Sequence, residues 1–217
     1  MKYKEFLDSK TIKNINHGVD VSLQDINPIL FPFQKQIVQW TLKKGKSAIF
    51  ADCGLGKTFM QLEWARLIDK KTLIFCPLSV AEQTIKEGKK LNIHIDYVRD
   101  QSEVKSQFSV TNYEMIHHFN PKEFDSIVLD ESSILKSVDG KTKTKLIEMF
   151  RETKYKLCCT ATPAPNDVSE FANHADFLNI ATRQEMLSMF FVNDSSHNEG
   201  WRLKGHATNN FYKWLRS

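Results

Sequence analysis

No stretch of this sequence approaches the roughly 20 consecutive apolar residues that span a bilayer, so no membrane partner is expected. The N-terminus, Met1-Lys2-Tyr3-Lys4-Glu5, leads into no apolar run, and a secretory signal is not expected either. Cysteine is scarce and unpatterned. Cys53, Cys76, Cys158 and Cys159 form no C-x-x-C pair and have no histidines at zinc-like intervals, which argues against a zinc module or a disulfide framework. Charge of one sign is also lacking: 30 Lys and Arg against 26 Asp and Glu leave a net +4, compatible with a nucleic-acid partner without arguing for one. Internal repeats and low-complexity tracts are absent. What remains is an ordinary composition, 41% hydrophobic and 26% charged over 217 residues, that predicts a reduced, cytoplasmic α/β protein of one or two domains.

The informative stretch is Ala51-Asp52-Cys53-Gly54-Leu55-Gly56-Lys57-Thr58. It follows the short apolar run Ala48-Ile49-Phe50 and enters a segment of helical periodicity, the context a phosphate-binding loop requires. Glycines let successive backbone N–H groups turn toward phosphate oxygens, and a helix N-terminus adds the positive end of its dipole. Lys57 would reach the β- and γ-phosphates and Thr58 would ligate Mg²⁺. The common form of this loop begins with Gly where Ala51 stands, which leaves the loop type, and an ordinary glycine-rich turn, open at this point.

The chain around the loop reads as alternating strands and helices. Residues 1–30 are a polar lead-in with a short helix. Phe31-Pro32-Phe33-Gln34 opens a helix whose apolar face would be Phe33, Ile37 and Trp40, stopped by Gly45. Strands are expected at Ser47–Ala51, Thr72–Cys76, His94–Val98, Phe108–Thr111, Ser126–Leu129 and Tyr155–Thr160. The helix after the loop carries Met60, Trp64, Leu67 and Ile68 on its core face, and Ser79-Val80-Ala81-Glu82 has the spacing of a capping box. Such alternation predicts a parallel, doubly wound sheet, in which ligands bind beyond the carboxyl ends of the strands. Asp130-Glu131 follows a buried strand at that end, as do Thr160 to Thr162. One carboxylate would hold Mg²⁺ opposite Thr58 while its neighbour activates water; alternatively the pair is plain strand-end charge.

Taken in order, these stretches resemble the first RecA-like domain of superfamily-two helicases of the DEAD/DEAH type, in the Swi/Snf-like branch. Phe33-Gln34 resembles the adenine-recognising Q motif. Ala51 to Thr58 resembles motif I, in which a leading Ala is normal. Cys76-Pro77-Leu78-Ser79-Val80 resembles motif Ia, and Val110-Thr111-Asn112-Tyr113-Glu114 resembles motif Ib. Asp130-Glu131-Ser132-Ser133 resembles motif II and Thr160-Ala161-Thr162-Pro163 motif III. The wording Asp-Glu-Ser-Ser, with Thr-Pro-Ala-Pro-Asn-Asp after motif III, resembles phage and prophage proteins; Ser133 stands where other branches carry His.

The resemblance implies a RecA-like P-loop NTPase fold, three-layered with a central, mostly parallel sheet, over residues 31–180. It implies an ATP hydrolase acting as a helicase or double-strand translocase with ATP and Mg²⁺ as cofactors. Phe33, Gln34, Cys53, Gly54, Leu55, Gly56, Lys57 and Thr58 would bind nucleotide, with Thr58 and Asp130 holding Mg²⁺. Lys57, Asp130 and Glu131 would be catalytic, and Thr160 and Thr162 would couple hydrolysis to the nucleic acid. Pro77, Ser79, Thr111 and Asn112 would meet the backbone of DNA, duplex favoured and RNA not excluded. Residues 181–217 are expected to be a helical extension, truncated before a second RecA-like domain that would supply an arginine finger, so that the chain alone would be weakly active. Its last part, from Trp201, carries four Arg or Lys, no acidic residue and several aromatics, suited to docking on a neighbouring domain or to stacking on single-stranded bases. Two other classes remain in view: a non-catalytic nucleic-acid or protein interaction module that keeps the fold, and a metabolic phosphoryl-transfer enzyme, for which no small-substrate site is recognisable.

Overall fold

The computed structural model describes residues 16–136, 140–194 and 200–217. The short helix expected near the N-terminus and most of the polar loop before Gly200 lie outside the described residues. Residues 16–31 are irregular, as expected of the lead-in.

Six strands make one wholly parallel sheet: β1 (Lys46–Phe50), β2 (Thr72–Cys76), β3 (Ile95–Tyr97), β4 (Phe108–Asn112), β5 (Ser126–Asp130) and β6 (Tyr155–Thr160), in the order β1-β6-β5-β2-β4-β3. Strands β2, β5 and β6 are buried at every position, which is why β2 and β5 appear in the sequence as apolar runs rather than alternating ones, while β6 buries even Lys156. Their side chains still alternate between faces. Leu73, Phe75, Ile127, Leu129 and Cys158 enter one core, with Leu146, Phe150 and Phe177. Ile74, Cys76, Val128, Leu157 and Cys159 enter the other, with Val38, Leu42, Met60, Leu62 and Trp64. The adjacent cysteines Cys158 and Cys159 therefore serve opposite faces, free and buried; burial pushes both thiols up, and the Asp130 charge adds to the rise at Cys159.

The second core is covered by α1 (Pro32–Lys44), α2 (Lys57–Ile68) and α3 (Leu78–Lys90). Helix α1 turns a different face inward from the one its large apolar residues suggest. Gln34, Val38, Thr41 and Leu42 are buried, whereas Phe33 and Trp40 are 43% and 39% exposed. Gly45 ends α1 in the left-handed region at φ 72°, donating to the Thr41 carbonyl at 3.0 Å. A Cβ on Gly18 would lie 1.7 Å from the Leu42 carbonyl oxygen, so glycine is required there for the lead-in to pair with the end of α1. The expected Ser79–Glu82 capping box does not form. Helix α3 begins two residues earlier, with Pro77 rather than Ser79 as its cap residue, and Glu82 pairs instead with Lys86 at 2.7 Å. Nothing among the described residues forms a helix long and apolar enough to cross a membrane.

Helix α4 (Lys141–Met149) joins β5 to β6, and α5 (Phe171–Phe177) follows β6. Beyond it the chain is not purely helical. Between α6 (Arg183–Phe190) and α7 (Thr208–Leu215) lies an antiparallel ribbon of β7 (Phe191–Asn193) and β8 (Trp201–Leu203). Thr182 and Glu185 form the capping box that starts α6. The aromatic tail docks on its own chain: Phe211 is fully buried, with ring centroids 5.5, 5.6 and 6.1 Å from Phe190, Phe191 and Phe171.

Candidate nucleotide site

The carboxyl ends of β1, β5 and β6 deliver the residues that matter, because neighbouring parallel strands all end on one side of the sheet. Beyond β1, residues 51–56 curl into a loop in which Gly54 and Gly56 have φ of 80° and 74°. Gly56 is the cap residue of α2, and a Cβ there would lie 2.4 Å from Gln34 Nε2, so both its conformation and its surroundings demand glycine. Cys53, Gly54 and Leu55 form the exposed crest of the loop, and Thr58 lies half-buried in the first turn of α2. Lys57 Nζ donates to the carbonyls of Ala51 at 2.9 Å and Asp52 at 3.1 Å, which keeps its charge at the loop.

Asp130 ends β5 with 7% of its surface exposed. Burial raises its carboxyl pKa, while Gln61 on α2 and the Lys57 charge oppose that rise. Gln61 faces Asp130 without completing a hydrogen bond of normal geometry, and both of its side-chain polar atoms are buried without partners. Tyr113 anchors the strand end by donating its hydroxyl to the Asp130 carbonyl at 2.7 Å. Glu131 has φ 58°, a left-handed conformation that costs a non-glycine residue of the order of 1 kcal/mol. Its carboxylate accepts from Thr160 Oγ1 at 2.6 Å, and the same hydroxyl oxygen accepts from Thr162 N at 3.0 Å. Thr160 also lends its carbonyl to Ala51 N at 3.2 Å. One residue of β6 thus ties the start of the phosphate loop to the carboxylate after β5.

Among the described residues no group of three His, Cys, Asp or Glu side chains is placed to hold a metal. One hydroxyl, Thr58, and one carboxylate, Asp130, suit a hydrated Mg²⁺ that arrives with phosphate oxygens, which needs no dedicated protein cage.

The SNF2-related domain model matches residues 33–198. This chain belongs to the SNF2-related domain family. Human DNA repair and recombination protein RAD54B is 34% identical over 159 residues, which span 61% of this chain and 17% of RAD54B. The fold is similar to the Sulfolobus solfataricus SWI2/SNF2 ATPase core domain, with a TM-score of 0.63 at 22% identity, covering 83% of this chain and 41% of that one. It is also similar to the UvsW helicase of bacteriophage T4, with a TM-score of 0.58 at 14% identity over 84% of this chain and 66% of that one. The three-layer, RecA-like architecture is shared with both.

Within this SNF2-related domain the predicted site residues separate into two groups. Lys57, Asp130, Glu131 and Thr160 are linked by the contacts and charges just described, and Thr162 joins them through its backbone. The four residues expected at the nucleic acid are less alike. Pro77 and Ser79 lie at the surface beyond β2, but Thr111 is fully buried and Asn112 is 5% exposed. The Asn112 amide is held between Tyr97 OH and Glu114, which keeps it inside the protein. Gln34 is also buried, with its amide committed to backbone groups on either side.

Three contacts were not anticipated from sequence. Tyr113 and Gln61 approach Asp130, and His174 of α5 lies 3.1 Å from Ser132 Oγ through Nε2. His174 is 2% exposed, packs edge-to-face on Phe50 at 5.2 Å, and is pushed down to about 4 by burial. Motif II is therefore buttressed through Ser132, while Ser133 is only half-buried.

Proposed function

We propose that this chain is the ATP-binding half of a DNA motor, hydrolysing ATP with Mg²⁺ and working against a second RecA-like domain. The observation that carries the reading is the short Thr160–Glu131 hydrogen bond beside Lys57 and Asp130 at one end of the sheet. Lys57 exchanges the Ala51 and Asp52 carbonyls for phosphate oxygens, a stronger charge-assisted contact. Thr58 and Asp130 would hold Mg²⁺, which would supply charge neutralisation at the phosphates. Glu131 orients the attacking water and takes up its proton, held in place by Thr160.

Support for DNA as the partner comes from RAD54B, whose name records DNA repair and recombination. Duplex tracking is favoured over strand separation by the Swi/Snf-like sequence of the motifs, whose wording also favours a phage or prophage origin. Pro77 and Ser79 are the accessible contacts to its backbone, with Thr111 and Asn112 acting from beneath. The second domain would supply the arginine that completes the site, so the 217-residue chain alone turns over slowly. Phosphate release from ATP, measured with and without duplex DNA, tests this. Slow release abolished by Lys57→Ala is expected. Rapid, DNA-stimulated turnover by this chain alone would contradict the need for a second domain.

A further inference from the structure

We infer that Tyr113 is a positioning residue for Glu131: its hydroxyl takes the place of a backbone N–H that Pro77 cannot supply, and so fixes the peptide plane from which Glu131 is aimed. The inference rests on the nucleotide site proposed above and concerns what holds its water-activating carboxylate in place.

The missing donor follows from the register of the sheet. Ser126 N, at the start of β5, donates to the Lys71 carbonyl at 3.3 Å, and β5 runs parallel to β2 with Ser126 opposite Thr72 and Leu129 opposite Phe75. In a parallel ladder every second residue faces the same neighbouring strand, and it accepts from the residue two beyond the one it donates to. Ser126, Val128 and Asp130 are therefore the residues of β5 that face β2, and the donor due to the Asp130 carbonyl is the N–H of residue 77. Residue 77 is proline, which has none. A buried carbonyl needs a partner from elsewhere. Tyr113 provides it: reaching from the end of β4 across the end of β2, its hydroxyl donates to the Asp130 oxygen at 2.7 Å in a buried contact. The side chain is 7% exposed, and its ring stacks on Phe75 of β2 with centroids 5.8 Å apart and planes inclined by 21°.

That carbonyl belongs to the peptide group that links Asp130 to Glu131. The next rotatable bond is φ of Glu131, which stands at 58°, a left-handed value that a non-glycine residue keeps only when its surroundings hold it there. Two hydrogen bonds do so, one on the backbone before Glu131 and one on its side chain. Tyr113 fixes the preceding peptide plane, and Thr160 Oγ1 holds the carboxylate at 2.6 Å. Without the Tyr113 hydroxyl the carbonyl turns toward another donor, φ relaxes, and the carboxylate leaves the place where Thr160 holds it. Tyr113 thus acts through Glu131 rather than on the nucleotide.

The test is single-turnover phosphate release from ATP, with the full chain in excess and no nucleic acid, alongside titration with ADP. Tyr113→Phe keeps the ring on Phe75 and should lower the rate by ~5- to 50-fold, the range for one buried hydrogen bond, with ADP affinity within about threefold of wild type. Because both hydrogen bonds hold the same residue, adding Thr160→Val should leave the rate within about threefold of the slower single variant. Adding Pro77→Ala to Tyr113→Phe instead offers the same carbonyl a backbone N–H and should bring the rate back to within about threefold of wild type. Tyr113→Phe at the wild-type rate would overturn the inference, as would effects of Tyr113→Phe and Thr160→Val that simply multiply, the outcome of a merely structural role. No recovery with Pro77→Ala would overturn it too; if Tyr113→Phe alone does not fold, recovery of folding in that double variant is the result expected, and its absence counts against the inference equally. Wild-type phosphate release that Lys57→Ala does not abolish would remove the nucleotide site itself, and this inference with it.

Discussion

Thr160 Oγ1 donates to Glu131 Oε1 at 2.6 Å, and through its backbone carbonyl Thr160 also receives Ala51 N at 3.2 Å. The side chain holds the carboxylate that would activate water, and the main chain holds the loop that would carry phosphate. A change at either element therefore reaches the other through one fully buried residue.

Thr160→Val keeps the shape of the side chain and removes the donor to Glu131. Hydrogen bonds to charged groups contribute roughly 1.5–3 kcal/mol, so ATP turnover should fall about 10- to 100-fold with nucleotide affinity nearly unchanged. Thr160→Ser, which retains the hydroxyl, should stay within a few-fold of wild type. Steady-state phosphate release and equilibrium nucleotide titration, run on both variants, check this split.

Gly54 and Gly56 share a left-handed backbone but differ in surroundings. A Cβ meets nothing within 4 Å at Gly54, whereas at Gly56 it meets Gln34 Nε2 at 2.4 Å. Gly54→Ala should cost about 1–2 kcal/mol through backbone conformation alone. Gly56→Ala should cost more, because the Gln34–Leu55 hydrogen bond must also break. Denaturant midpoints of the two variants decide the order.

Lys156 is fully buried in β6, donates to the Phe177 carbonyl at 2.8 Å, and is pushed down to about 7 by burial. The unfolded side chain keeps its proton to near the ordinary 10.5, so unfolding takes up a proton between about 7 and 10.5. The destabilisation from this residue is therefore full below the folded pKa of about 7 and is relieved as pH rises through that window. Lys156→Met should lose this dependence: wild type minus variant stability should increase from pH 6.5 to 8.5. Urea unfolding of both proteins at several pH values measures the difference.

Phe211 fills the centre of the C-terminal cluster. Phe211→Ala should destabilise by roughly 3–5 kcal/mol, the range for a large aromatic removed from a packed core. Limited proteolysis should then cut preferentially beyond Phe177, while pyrophosphate binding at the loop persists.

The sheet was legible because its central strands are buried on both faces. Thr72–Cys76 is a nearly continuous apolar run and Tyr155–Thr160 an apolar stretch broken by Lys156, and the ends of both coincide with the observed strands. The loop and the two acids were legible because they stand at the carboxyl ends of the short strands β1 and β5. The inward face of α1 was not, since Phe33 and Trp40 are apolar yet lie outside, while Gln34 is drawn inside by the loop it braces. Nothing local announces the contact of Ser132 with His174, which lies 42 residues away and joins it through the packing of α5. The β7–β8 ribbon has three residues in each strand, too short for periodicity to reveal.

Glu131→Gln separates water activation by Glu131 from phosphate binding by Lys57. The substitution keeps size and an acceptor for Thr160 while removing the base. Nucleotide affinity within about threefold of wild type, with ATP hydrolysis reduced by 100-fold or more, is the predicted result. Wild-type hydrolysis by Glu131→Gln would contradict it.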